Sequence, residues 1–242
     1  MTKPHHVPMI GVLLIGVLCP AAPVSAQQRP AIADQIARTY GLDSFGQVDA
    51  IRYTFNIDAG PRKLARSWVW EPKTDQISYE GKDKAGNRVK VTYSRSQLAS
   101  QSAVVKEQVD PGFTNDQYWL LFPFHLVWDT GAAVQDASMQ KLPLGKGSAK
   151  KVTVTYPSGG YTPGDTWGLY VGKDGRIREL EFHHGGTAKP SLVLATWAGY
   201  KKAGPLLVST DHRGTADGNP VHIFFSNVAV KLAGSSTWTD AK

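Results

Sequence analysis

The densest run of chemistry-bearing side chains is "ELEFHHGG", residues 179–186, where two carboxylates alternate and two imidazoles stand side by side. In a continuing strand successive side chains point to opposite faces. His183 then follows Glu179 and Glu181, while His184 follows Leu180 and Phe182, and the pair cannot share one ion. In a turn the two could converge, with Asp211, His212 or His222 as further ligands. No H-E-x-x-H or comparable spacing accompanies them, so the sequence is read as holding no metal and no cofactor. A serine hydrolase needs a G-x-S-x-G elbow, which is missing. Ser158 in "YPSGG" is read as a turn residue. Glu179 and Glu181, with Arg176 and Arg178 nearby, suggest a wet strand face with cross-strand pairing. Asp110 and Asp116 are placed in a loop, and would act as a glycosidase-like pair only if the fold brought suitable partners together. The expectation is no catalytic residue. The alternatives are a His-dependent or metal-dependent enzyme using His183, His184 or His212, and a structural envelope protein.

The elements that must position these groups are mostly strands. "PAIADQIARTYG" is the exception: Ile32, Ile36 and Tyr40 recur every four residues, Pro30 suits the first helical position and Gly41 can close the end. After it the period changes to two. Ile51, Tyr53, Phe55 and Ile57 share one face opposite Arg52, Thr54, Asn56 and Asp58. Val89, Val91 and Tyr93, and then Val152, Val154 and Tyr156, repeat the pattern. Such half-buried strands are the mark of antiparallel sheet. Turn residues separate them at 72–75, 84–87 and 172–175. The fold class is therefore mainly β (α+β): one curved antiparallel sheet of roughly ten strands with one or two helices against it.

"DQYWLLFPFHLVWDTG", residues 116–131, breaks this pattern. Thr114 and Gln117 have capping-box spacing, and Asn115 or Asp116 could also cap. A short helix is expected from Asp116 to about Phe122, broken at Pro123, which lacks an N–H and clashes with the preceding turn. A segment apolar on all sides must be covered on all sides. Two arrangements satisfy that: a plug in the concave face of the sheet that closes a cavity, or plain core packing. For the plug, the candidate ligand-binding residues are Trp68, Trp70, Trp119, Phe122, Phe124 and Trp128, a subset of aromatics most of which are core.

The N-terminus combines Lys3, an apolar run from Met9 to Leu18, and Val24-Ser25-Ala26. This is the pattern of a cleavable signal peptide over 1–26, leaving a single β-rich domain over 27–242 and a periplasmic location. Cys19, the only cysteine, leaves with the leader, and Leu18 before it is bulky for a lipidation site. Removing Lys3 lowers the net charge from +7 to +6, with the basic residues scattered. Scatter favours solvated faces or anionic envelope surfaces, and export without a basic-aromatic motif argues against nucleic acid. A monomer is expected.

The element order, together with "WGLYVGKDGRIRELEFHHGGTAKPSLVLATW" (167–197), "WVWEPKTDQISYEG" (68–81) and the central apolar segment, resembles the LolA/LolB-like (outer-membrane lipoprotein-sorting protein-like) superfamily. The shared feature is a strand, an "xDGxI" hairpin turn and further strands in this order. The resemblance implies a half-open β-barrel whose helices cap a hydrophobic cavity for acyl chains, no catalytic residue and no cofactor. Lipid or another apolar ligand, and envelope membrane or lipoprotein partners, follow as expectations. The chain departs from such carriers in its more aromatic central segment and its long C-terminal hairpin.

Overall fold

The computed structural model describes residues 29–157, 163–185 and 191–242. The leader, Cys19 and Ser158 lie outside the described residues. Helix α1 (Ala31–Thr39) buries Ala33, Ile36 and Ala37. Pro30 stands one place before the helix, in extended conformation, rather than at its first position. Gly41 ends the turn with φ +102°, where a Cβ would meet the Pro205 carbonyl at 2.5 Å.

Strands β1 (Val48–Ala59), β2 (Arg62–Glu71), β3 (Gln76–Lys82) and β4 (Arg88–Ser94) form an antiparallel meander. A second series follows the central helix: β5 (Ala133–Lys141), β6 (Ser148–Thr155), β7 (Thr166–Val171), β8 (Ile177–His184) and β9 (Ser191–Thr196). The C-terminal strands are β10 (Ala198–Ala203), β11 (Leu206–Ala216), β12 (Asn219–Leu232) and β13 (Trp238–Asp240). Among the described residues all thirteen belong to one sheet, in the order β4-β3-β2-β1-β12-β11-β9-β8-β7-β6-β5, with β10 beside β11 and β13 beside β12. The hairpin β11–β12 thus stitches the two meanders together. β4 and β5 remain unpaired edges, so the sheet stays open in the manner of a half-open barrel. The period-two reading holds along β1, where Tyr53 and Phe55 are buried and Arg52, Thr54 and Asn56 are half-exposed. The 172–175 turn forms as expected, with the Gly175 N–H donating to the Gly172 carbonyl at 3.0 Å and Gly175 at φ +76°.

The central segment corrects two expectations. Helix α2 runs from Asp110 to Trp128, preceded by a single π-helical stretch at Val105–Val109. Thr114, Asn115, Asp116 and Gln117 are therefore interior helical residues and cap nothing. Nor does the helix stop at Pro123; it continues to Trp128, and the N–H of Asp129 just beyond donates to the His125 carbonyl at 3.1 Å. An interior proline costs about 3 kcal/mol. Burial offsets that cost: Leu120, Leu121, Phe122, Phe124 and Leu126 are all essentially inaccessible, and each such side chain contributes about 1.5–3 kcal/mol. Sheet aromatics cover one side of α2, while α1 and Phe45 pack against it elsewhere. Among the described residues no helix is long and apolar enough to cross a membrane.

Candidate functional site

Two aromatic clusters meet along α2. Toward β2, Phe113 packs edge-on to Trp68 and Trp70 at 5.5 and 6.0 Å, and Trp70 faces Trp128 at 6.3 Å. Phe124 stacks on Trp128 at 5.2 Å and contacts Phe45 at 5.3 Å. Toward the other meander, Trp119 contacts Trp167, Trp197 and His212, while Phe122 lies 4.4 Å from Trp167. Of the six candidate residues, Trp70, Phe122 and Phe124 thus back the core, Trp68 is buried but borders a pocket of about 550 Å³ over β1–β4, Trp119 reaches a cavity beside α2, and half-buried Trp128 borders a polar pocket.

The cavity is a crevice of about 150 Å³ between α2 and strands β7 and β8. Tyr118, Trp119, Trp167 and Phe182 supply its apolar walls, while Thr114, Asn115, Asp165 and His184 supply polar atoms. Asp165 accepts from the Gly185 N–H at 2.7 Å and lies 3.1 Å from His184 Nδ1. His183 points the other way, is exposed, and lies 3.9 Å from Glu181. The two histidines fall on opposite faces, as strand alternation requires.

Behind the crevice stands a cluster centred on Asp129. Its carboxylate accepts from the Tyr118 and Tyr156 hydroxyls at 2.6 and 2.7 Å and lies 3.1 Å from His125 Nδ1. Burial pushes this carboxyl up, but the bonds from His125, Tyr118 and Tyr156 outweigh it and hold the group below the usual aspartate value. Burial and then the Asp129 hydrogen bond raise the Tyr118 hydroxyl; burial and the nearby Asp129 charge raise Tyr156. Both phenols stay protonated and donate. Tyr118 also stacks on His125, with centroids 3.8 Å apart.

The remaining candidates for chemistry are tied up in the structure. His212 is fully buried against Trp197, its Nδ1 3.2 Å from the Thr196 carbonyl; burial pushes its pKa down to about 4, so it is neutral. Asp110 and Asp116 are helical rather than in a loop, and each has its own partners. Asp110 takes Arg95 at 2.9 Å and the Tyr93 hydroxyl at 2.9 Å; Asp116 takes Arg66 and the Trp68 indole. Glu179 departs from the wet-face reading: it is buried and accepts from the Leu144 N–H at 2.7 Å. Glu181 does pair across strands, with Lys151 and Tyr170. Among the described residues no group of three or more His, Cys, Asp or Glu is placed to hold a metal ion.

Sequence reasoning missed Asp129 and Tyr156 as members of the cluster behind the crevice. A signal was present. Tyr118, His125 and Asp129 are seven and four residues apart, which places them on one face of an unbroken helix. Ending the helix at Phe122 concealed that face.

No family model matches the sequence, and no curated protein does. Among solved structures, a DUF1329 family protein from Desulfovibrio piger is 12% identical with a TM-score of 0.45, the match covering 85% of this chain and 94% of that one. A domain named for outer membrane lipoprotein sorting from Vibrio parahaemolyticus is 11% identical with a TM-score of 0.47, covering 87% and 95%. Lipoprotein LppX from Mycobacterium tuberculosis is 10% identical with a TM-score of 0.28, covering 82% and 95%. All three are distant, low-identity likenesses of architecture.

Proposed function

We propose that this protein is a non-catalytic binder of an apolar group, acting as an exported, monomeric carrier of lipid or another hydrophobic ligand. The observation that carries the reading is the aromatic-walled crevice beside α2, with Trp119 as its central candidate contact. An apolar cavity of roughly 150 Å³ takes about one benzene-sized group, whereas pockets for whole drug-sized ligands run to roughly 300–1,000 Å³. In this conformation the crevice accommodates one end of a ligand, a ring or a few methylenes. Trp68, Trp70, Phe122, Phe124 and Trp128 support it by fixing α2 against the sheet. The leader-like residues 1–26 support a periplasmic carrier, with envelope membrane or lipoproteins as its partners. An enzyme on this scaffold is disfavoured by the histidines: His212 is sealed in the core, and His183 and His184 face apart.

The test is titration of the purified protein with a fluorescent fatty acid and, separately, with toluene followed by NMR. Saturable binding of either is expected. Trp119→Ala should weaken it by about tenfold or more, equivalent to about 1.4 kcal/mol, while Trp238→Ala at the sheet margin should leave it unchanged. Binding that never saturates for either probe would remove the carrier reading.

A further inference from the structure

We propose that the ligand of the α2 crevice carries a neutral hydroxyl group, held between the indole N–H of Trp197 and Nε2 of His212. This ligand class, an alcohol or phenol on an apolar body, rests on the apolar-binder reading above.

Four buried side-chain polar atoms among the described residues find no hydrogen-bond partner: the Tyr53 hydroxyl, His125 Nε2, Trp197 Nε1 and His212 Nε2. The last two stand together, because the Trp197 and His212 rings are in contact, with centroids 4.2 Å apart. Buried polar groups are as a rule satisfied, and each exception asks for an explanation. The two atoms are also complementary. An indole N–H only donates. His212 Nδ1 faces the Thr196 carbonyl at 3.2 Å, which only accepts, so Nδ1 carries the proton and Nε2 keeps its lone pair. Burial holds the ring neutral and preserves that lone pair.

A hydroxyl serves both atoms: its oxygen accepts from Trp197 while its proton goes to His212. An ether, carbonyl or carboxylate meets only the donor, and an ammonium only the acceptor. A charged group would besides be buried among Trp119, Trp197 and Phe225, where nothing repays its lost hydration. The crevice is the route. Trp119 forms part of its wall and packs on both residues, 6.5 Å from Trp197 and 5.9 Å from His212. Neither residue borders the crevice, and neither nitrogen is accessible with Trp119 in place. A turn of the Trp119 indole joins the pair to the crevice, a conformation that a ligand filling the space makes dominant.

The experiment compares toluene with para-cresol, which adds one hydroxyl, by NMR titration of the purified protein. With no partner for that hydroxyl, cresol would be the weaker ligand, since burying it alone is costly. Cresol should instead bind about tenfold more tightly and move the His212 Nε2 nitrogen resonance saturably toward hydrogen-bonded values, while toluene leaves it in place. Trp197→Phe keeps a ring and removes the donor; it should cut cresol affinity about tenfold and toluene affinity little. If that variant does not fold, the His212 resonance of the unsubstituted protein decides alone. Saturable toluene binding with cresol equal or weaker would overturn the proposal and leave the apolar-binder reading standing. Cresol that never saturates would overturn it too, and the reading itself falls only if toluene and fatty acid also fail. An Nε2 resonance already hydrogen-bonded in the free protein, with a water NOE at the Trp197 indole N–H, would assign the pair to a buried water and likewise overturn the proposal.

Discussion

Asp116 within helix α2 and Asp129 just past its end are two carboxylates that the fold treats in opposite ways. Asp116, in mid-helix, is completely buried and meets the Arg66 guanidinium through two oxygens, with Trp68 and Asn115 donating as well. Burial pushes it up, and Arg66, Asn115 and Trp68 only partly restore it, so its pKa stays above the ordinary value. Asp129, at the helix end, keeps about a fifth of its side chain exposed, and its donors win over burial. The difference teaches that a carboxylate's partners do not fix its state; the water it retains decides how much those partners must repay. Asp116 is a closed structural joint between α2 and β2. Asp129 is an organised group beside an open pocket.

The largest expected effect breaks the first member of this pair. Arg66→Met leaves Asp116 buried without its cation and should cost about 3–5 kcal/mol in urea unfolding. A loss under about 1 kcal/mol would show that Asp116 is neutral in the folded protein and the joint is not ionic.

pH separates the buried groups. His212 has a folded pKa of about 4 against an ordinary 6.5. The unfolded chain therefore takes up the proton first as pH falls. Stability from this group is complete above 6.5 and declines between 6.5 and about 4, by roughly 3 kcal/mol in total. His212→Asn should flatten the urea midpoint over that window; an unchanged slope would refute the sealed neutral imidazole. Asp129 and Asp116 act lower and with opposite signs. With its pKa lowered, Asp129 stabilises above the ordinary 3.8, and that contribution is lost as pH falls below it. With its pKa raised, Asp116 contributes most below 3.8 and loses that contribution as pH rises through its folded value.

The smallest effect sharpens the second member. Tyr156→Phe removes one of the hydroxyls on Asp129 and should cost about 0.5–1.5 kcal/mol. It should also raise the Asp129 pKa, readable by carboxyl carbon NMR. No change in that pKa would mean that His125 and Tyr118 alone set the state of Asp129.

Much of the sheet was legible because alternation is local. Ile51, Tyr53 and Phe55 announce a buried face, and the Lys173-Asp174-Gly175 turn announces a hairpin, whatever lies elsewhere. Helix α1 was legible for the same reason, through Ile32, Ile36, Tyr40 and Gly41. The length of α2 was not. Local chemistry at Pro123 argues for a stop, and only the covering of Phe122, Phe124 and Leu126 by distant strands supplies the energy to continue. With the helix cut short, the shared face of Tyr118, His125 and Asp129 vanished, and the polar pocket with it. Tyr156 could not be placed beside Asp129 at all, since the two meet across 27 residues.

By itself, then, the sequence determined that the chain folds chiefly as half-buried antiparallel strands, and that residues 116–128 require cover. Those properties depend on side chains within one or two turns of one another. The tertiary structure alone decided which strands provide that cover, that α2 runs through its proline, that Glu179 is buried, and that Tyr156 meets Asp129. Each of these rests on contacts between groups far apart in the chain, where burial energy summed over many residues outweighs a local preference of about 3 kcal/mol.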